Sequence, residues 1–232
     1  MSRTFDANWS PAPAYVRKMA FAAEIVDAVT LEPVRSGIVV TARGLRNKPF
    51  VNYSGVYVWL AEGNARPTAI DVDTRDLPYE PTTQSVQPIS GLVVRIALAP
   101  RPGHEFSDGV TALRGTLIER RIGPRTPIVG AQVWLRWIDK TPSMMPLVDV
   151  VPHSYTRSGG DFAVFARLAP DQTAALDDKG SLRVRLGAHF RNTTRTSEEF
   201  ALPEGRVSDE RKVLGSSTPT SVFIWNEFQL SP

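Results

Sequence analysis

The chain contains no cysteine among its 232 residues and only three histidines. The lack of cysteine excludes disulfide bonds, thiolate zinc sites and cysteine nucleophiles, so packing alone has to stabilise the fold. His104, His153 and His189 lie in different segments, without the close spacing of a paired metal motif. We therefore expect these three histidines to be surface residues.

Familiar catalytic motifs are also missing. The sequence has no Gly-x-Ser-x-Gly elbow, no phosphate-binding glycine loop and no dinucleotide fingerprint. Acidic groups such as Asp177-Asp178 and Glu198-Glu199 are more typical of a solvated surface than of a calcium site. We predict that the protein is not an enzyme and that it has no catalytic residues, no cofactor and no bound metal.

Long apolar runs and strong net charge are absent as well. No stretch approaches the roughly 18 to 20 apolar residues of a membrane span, and residues 1–18 lack the apolar segment of a signal peptide. The formal net charge is +3, with the basic residues dispersed. These features predict cytoplasmic synthesis without a signal peptide, with a virion-like or secreted particle as a further location. They also predict no membrane insertion and no nucleic-acid partner.

Strand patterns dominate what is present. Helical periodicity is broken by proline, glycine or β-branched residues in every window longer than about ten residues, and its best stretch is the short segment 170–176. Several other segments alternate between apolar and polar residues, as half-buried strands do. The predicted strands lie at 22–29, 37–42, 55–61, 68–73, 91–99, 115–120, 131–138, 161–166, 181–189 and 221–229.

One pattern of turns and strands occurs twice. In each copy a β run is followed by a proline-containing turn that ends in glycine, a second β run, and then a Ser-Gly turn before an aromatic strand. The shared positions are Pro33, Gly37 and Gly55 in the first copy and Pro127, Gly130 and Gly160 in the second. The repeat predicts an all-β chain of two tandem Ig-like or transthyretin-like antiparallel β-sandwich domains, whose role is contact rather than chemistry.

The second copy also carries a family pattern. Its parts are Gly115-Thr116-Leu117-Ile118, Pro127-Ile128-Val129-Gly130-Ala131, Gly160-Asp161-Phe162, Leu168-Ala169-Pro170 and Leu182-Arg183-Val184. In this order they resemble the carboxypeptidase regulatory-like family of small transthyretin-like (prealbumin-like) β-sandwiches. Residues 23–60 match more loosely. The resemblance implies a fold rather than a function, because such modules are attached to many unrelated proteins.

Proline and glycine mark the domain limits. Two prolines and two glycines within 99–109 interrupt strand pairing between the two copies. We predict an extended N-terminal tail at 1–18, a first β-sandwich domain at 19–100, a linker at 101–110 and a second β-sandwich domain at 111–232. The long segments 76–90 and 141–157 are the candidate loops for partner contacts.

Two functions remain open. The first is a non-catalytic structural or adaptor subunit of a larger bacterial or phage-derived assembly, of the phage tail or contractile injection particle type. Its partners would be other protein subunits, with a homo-oligomer as an option, and the candidate contact residues are Trp9, Tyr15, Tyr79 and Trp137. The alternative is a carbohydrate- or peptide-binding module with Trp59, Trp134 or Trp137 as aromatic platforms.

Overall fold

The computed structural model describes residues 18–61, 63–86, 93–120, 124–137, 153–166, 179–209, 212–213 and 222–230. This part of the chain consists of β-strands and connecting segments apart from one 3-10 turn, so the predicted all-β class is confirmed. The strands before residue 100 are β1 (Met19–Asp27), β2 (Val39–Arg43), β3 (Phe50–Val51), β4 (Val56–Leu60), β5 (Ala69–Asp73), β6 (Thr82–Ser85) and β7 (Val93–Leu98).

The second half has more and shorter strands. They are β8 (Thr111–Glu119), β9 (Thr126–Pro127), β10 (Gln132–Trp137), β11 (Ser154–Tyr155), β12 (Asp161–Ala166), β13 (Ser181–Phe190), β14 (Thr193–Thr196), β15 (Phe200–Pro203), β16 (Val207–Ser208), β17 (Lys212–Val213), β18 (Val222–Ile224) and β19 (Gln229–Leu230). The 3-10 turn Trp225–Glu227 follows β18 directly. The predicted final strand at 221–229 is therefore wrong as one element, because this turn divides it.

Each half contains two sheets. In the first half the β1 sheet has the order β3-β4-β1-β7 and the β2 sheet has the order β2-β5-β6. In the second half β8 pairs with β9, β12, β16 and β18 to form the β8 sheet. The β10 sheet has the order β11-β10-β13-β14-β19, with β15 on β13 and β17 on β15. No described strand pairs across the two halves, although the domain limits themselves stay a prediction.

The repeat seen in the sequence is present in the strand pairing. β1 pairs antiparallel with β4, as β8 does with β12, and parallel with β7, as β8 does with β18. The proline turns are also equivalent, since Pro33 bridges Val26 and Pro127 pairs with Ile118. The parallel pairs were not predicted, and they place a late strand of each half, β7 or β18, beside its first strand.

Apolar side chains from both sheets of each half form a core. The first-half core includes Ile25 from β1 and Ile70 from β5, both fully buried. The second-half core includes Leu117, Leu186 and Phe223 from β8, β13 and β18. Inward-facing apolar residues on two facing sheets define a β-sandwich, which confirms the predicted fold class. The aromatic residues of the strands that follow the two Ser-Gly turns are buried, namely Tyr57, Trp59, Phe162 and Phe165.

Two glycines of the repeat, Gly130 and Gly160, occupy positions where a residue with a Cβ atom would be strained. Gly160 has φ of +79°, and a Cβ there would lie 2.4 Å from the Leu117 carbonyl oxygen. Gly130 has φ of +76°, but a Cβ there would meet nothing within 4 Å. Both positions need the left-handed conformation that glycine adopts freely. Gly160 also needs the space, because its own carbonyl accepts a 2.9 Å hydrogen bond from the Leu117 N–H.

Alanine substitution at these two glycines separates the cost of a left-handed backbone conformation from the cost of a steric clash. We expect Gly130→Ala to lower the free energy of unfolding by about 1–2 kcal/mol, the cost of a left-handed backbone for a residue with Cβ. Gly160→Ala should cost at least about 2 kcal/mol more, because the Leu117 carbonyl has to move and strand pairing is disturbed. Urea unfolding of both variants and the wild type measures the difference. Equal midpoints for the two variants would contradict the steric argument.

Candidate functional site

Buried polar side chains collect where the two halves meet. Asp27 ends β1, Tyr79 and Glu80 lie in the segment between β5 and β6, His104 lies between β7 and β8, and Arg157 precedes β12. We call these five residues the junction cluster. Asp27, Glu80 and His104 are between 4% and 6% exposed. Carboxylates so deeply buried are rare unless they have partners, and here Asp27 binds Tyr79 and His104 while Glu80 binds Arg157.

The Asp27 carboxylate accepts hydrogen bonds from three segments. The Val29 N–H donates to Oδ1 at 2.6 Å, and the Tyr79 hydroxyl donates to Oδ2 at 3.1 Å. His104 Nε2 lies 3.3 Å from the same Oδ2, so a protonated Nε2 donates there. Burial raises the pKa of Asp27, but the hydrogen bonds from His104, Val29 and Tyr79 outweigh it and lower the pKa.

His104 is enclosed rather than exposed. Its ring lies 5.2 Å from the Tyr79 ring and 4.9 Å from the Phe106 ring, and its backbone carbonyl accepts a 2.7 Å hydrogen bond from Arg114. The expectation of a surface histidine is wrong for this residue, because Asp27 supplies a buried partner. His153 and His189 are half-buried.

Tyr79 connects the first core to the cluster. Its side chain is half-buried against the first-half core, and its backbone forms a β-bridge with Pro100. Burial, followed by the Asp27 charge, raises the pKa of Tyr79 to about 12. The Tyr79 hydroxyl already binds Asp27. The predicted contact of Tyr79 with another protein therefore stays a prediction, and it would use the ring of Tyr79.

An ion pair joins the two halves beside Asp27. Arg157 donates from Nε to Glu80 Oε1 at 3.0 Å, and its NH2 group binds Glu80 Oε2. Arg101 Nε lies 3.9 Å from Glu80 Oε2. Burial raises the pKa of Glu80, and the charges of Arg157 and Arg101 oppose the rise. The Ser154 hydroxyl adds a hydrogen bond to the Pro100 carbonyl at 3.1 Å.

The two loops predicted to bind partners therefore contact each other. Glu80 belongs to segment 76–90, and Ser154 and Arg157 belong to segment 141–157. An apolar layer continues the same junction, formed by Ala28 and Val29 from the first half and by Ala112 and Phe165 from the second. In their described parts, these loops are ordered by the other half of the same chain.

The cluster holds segments of the two halves together. Histidine, tyrosine and carboxylate are common acid–base groups, but here His104 and Tyr79 both bind one oxygen of Asp27. A neighbouring groove of about 290 Å³ is lined by Val29, Thr111, Phe165 and other residues, none of them in the cluster. Within the described ranges, no three His, Asp or Glu side chains are grouped to hold a metal ion.

The remaining predicted site residues are not brought together. Trp59 is fully buried, and Trp134 is 8% exposed, so the proposal that either is a binding platform is wrong. Trp134 packs where a Cβ on Gly187 would lie, 2.4 Å from the indole. Trp137 lies in β10, but its side chain is outside the described structure. Trp9 and Tyr15 lie outside the described residues, so their contacts stay predictions.

The comparisons with known proteins give no family. No family model and no curated protein sequence matches the chain. Two solved structures are similar at low scores. One is GBS52, the minor pilin of the Gram-positive pathogen Streptococcus agalactiae, with 8% identity, a TM-score of 0.26, and 91% of this chain and 97% of that chain covered. The other is the streptococcal ancillary pilin, with 9% identity, a TM-score of 0.22, and coverage of 91% and 62%.

These scores carry no conclusion about what the chain does. The carboxypeptidase regulatory-like resemblance rests on the sequence pattern alone, while the all-β sandwich class is established by the strand pairing and the two cores. Across the part of the chain that is described, no helix has the length and apolar character needed to cross a bilayer.

Acid should remove the contribution of Asp27 to stability. A lowered folded-state pKa means that this contribution is complete above the ordinary pKa of 3.8 and is lost as pH falls through the lowered value. We expect Asp27→Asn to cost about 2 kcal/mol at neutral pH, the scale of charged hydrogen bonds. The difference from wild type should shrink below pH 3.8 in urea titrations. Exposed Asp108→Asn is the control, and a pH-independent difference would contradict the assignment.

High pH should remove the contribution of Tyr79 to stability, whereas low pH removes that of Asp27. The pKa of Tyr79 is raised from 10.0 to about 12, so its contribution is complete below pH 10 and is lost as pH rises through 12. Tyr79→Phe should lower the free energy of unfolding by about 1–2 kcal/mol at neutral pH. Above pH 10 the two proteins should converge in stability. A constant difference across that range would show that the hydroxyl does not bind ionised Asp27.

Proposed function

We propose that the chain is a non-catalytic structural subunit that assembles with other protein subunits. The observation that carries this proposal is the junction cluster, in which the acid–base side chains bind one another and join two sandwiches. A subunit that transmits position within an assembly needs its modules in a fixed arrangement. A pair of modules acting independently would be served by a solvated linker.

The strength of the junction supports a structural role. Removing one partner from a buried ion pair typically costs about 3–5 kcal/mol, because the other charge is left buried and uncompensated. In the pair of Arg157 with Glu80, the Glu80 side chain is 8% exposed and the Arg157 side chain is 41% exposed, and Arg101 Nε lies 3.9 Å from the same carboxylate, so removing Arg157 should cost less than that range. The pair therefore opposes any rearrangement that would separate the halves.

The finer identity of the assembly rests on the sequence. A phage tail or contractile injection particle, with Trp9, Tyr15 and Trp137 among the contacts, stays our hypothesis for the particle. Cytoplasmic synthesis followed by incorporation into such a particle belongs to the same hypothesis. The carbohydrate- or peptide-binding alternative is weakened, because two of its three tryptophans, Trp59 and Trp134, are buried.

The test compares the mass of the purified chain with that of the native species from its source. We expect a larger particle from the source, measured by size-exclusion chromatography with light scattering, than the 25.5 kDa chain alone accounts for. We expect Arg157→Ala to reduce incorporation, because it loosens the junction.

Arg43→Ala is the matched control, since it removes an arginine pair with Asp71 on the exposed surface of the β2 sheet. Both variants should retain folded cores by near-ultraviolet circular dichroism. A native species with the mass of the single chain would contradict the proposed function. Equal incorporation of the two variants would contradict the role given to the junction.

A further inference from the structure

Two arginines at one edge of the second sandwich are stacked on aromatic rings. The guanidinium carbon of Arg191 lies 4.8 Å from the centre of the Phe190 ring, and that of Arg195 lies 5.1 Å from the centre of the Trp225 ring. The Phe190 and Trp225 rings meet edge to face, with their centres 6.1 Å apart. We call these four residues the arginine–aromatic row. Stacking on a ring orients the planar guanidinium group, whose N–H donors at the rim can still bind acceptors.

The two arginines of the row have no carboxylate partner within the described ranges. The ion pairs found there include neither Arg191 nor Arg195. Arg195 donates from Nη1 to the Trp225 carbonyl at 3.3 Å, and its buried Nε has no hydrogen-bond partner among the described residues. By contrast, Arg120 Nη1 lies 3.8 Å from Glu227 Oε1, on the turn that carries Trp225. An anionic partner could therefore bind the row without first breaking an ion pair.

The backbone holds Arg191 in a conformation that arginine rarely adopts. The turn between β13 and β14 consists of Arg191 and Asn192, with φ of +47° and +60°. Two-residue hairpin turns of this kind usually have asparagine or glycine, because a Cβ atom disfavours the left-handed conformation. Asn192 follows this preference and Arg191 does not. Strain that is kept at one residue supports a functional role for its side chain.

The first half leaves the row accessible. Each sheet of the second sandwich has one edge at the junction, where β11 carries Ser154 and β12 carries Phe165. At the opposite edges lie β14, which carries Arg195, and β18, which leads into Trp225. The row is therefore on the side of the second sandwich away from the junction, and Arg191 is exposed there.

We propose that the arginine–aromatic row binds an acidic segment of a neighbouring protein subunit. The proposal rests on the proposed function and names one of the contacts of the subunit. Its evidence is charge complementarity, because two oriented guanidinium groups without counter-charges match two carboxylates. Arg183, on β13 of the same sheet, already binds the Glu199 carboxylate through two of its nitrogens.

The dimensions of the row suit a short extended segment. Its guanidinium and ring centres follow one another at 4.8, 6.1 and 5.1 Å, so roughly five extended residues reach from one arginine to the other. An acidic side chain at each end binds one arginine, and an apolar side chain between them packs against the partly exposed Phe190 ring. The dispersed net charge of +3 provides no continuous basic track for a phosphate backbone, which favours a protein segment.

Peptide titration of the full chain tests this contact. The probe is the peptide Glu-Ser-Leu-Ser-Glu with both ends blocked, whose glutamate and leucine side chains share one face when it is extended. We expect a dissociation constant of roughly 1 mM at low ionic strength, rising with salt because the pairs are exposed. Nuclear magnetic resonance of the arginine Nε–H groups locates the contact, since the signals of Arg191 and Arg195 should shift.

Matched variants separate this site from general charge attraction. Arg191→Gln and Arg195→Gln should each weaken peptide binding about fivefold, the upper scale of one exposed ion pair. Arg136→Gln is the control, because Arg136 is an exposed arginine of β10 outside the row, and its loss changes the net charge equally. The peptide Gln-Ser-Leu-Ser-Gln should not bind. Near-ultraviolet circular dichroism checks that each variant keeps its folded core.

Four results would overturn the proposal. One is that the Arg191 and Arg195 signals do not move with the acidic peptide, and another is that Arg136→Gln weakens binding as much as Arg191→Gln does. Tighter binding of inorganic phosphate or a short oligothymidylate than of the peptide would make phosphate, not a protein segment, the occupant. The last is an Arg191→Gln chain that enters a large native particle as wild type does, which would leave the proposed function standing.

Discussion

The arrangement of the two halves depends on the Asp27 carboxylate. Asp27 is the last residue of β1, an inner strand of the β1 sheet. Its carboxylate accepts hydrogen bonds from its own turn, from the segment before β6 and from the segment before β8. Because these donors come from distant parts of the chain, one buried charge fixes where His104 and Tyr79 lie. Glu80, next to Tyr79, is thereby placed to bind Arg157 of the second half.

Local features of the fold were predictable and distant contacts were not. Strand alternation and the glycines of the repeat depend on neighbouring residues, so the positions of β10, β13 and the turn at Gly160 followed from the sequence. The pairing of Asp27 with His104 joins residues 77 positions apart, and no local pattern encodes it. The burial of Trp134 likewise depends on Gly187 on another strand, which alternation within β10 cannot reveal.

The two halves share strand pairing but use their surfaces differently. The first half exposes apolar side chains on its β1 sheet, while the corresponding β8 sheet carries Thr116, Asp161 and Arg114. The second half adds strands such as β11 and β19 to its other sheet. One topology thus supplies two modules whose common part is the core and whose differences lie at the surface, where partners are distinguished.

The parallel strands that close each half bear on the order of folding during synthesis. β7 lies beside β1, and β18 lies beside β8, so the first long strand of each half gains its last neighbour only when a much later segment has been made. Such non-local pairing slows folding, since the intervening chain must be ordered first. On the ribosome, the first sandwich can close once Leu98 has emerged, while the second waits for Phe223. Between the synthesis of Leu98 and that of Phe223, only the first-half side of the junction can be folded.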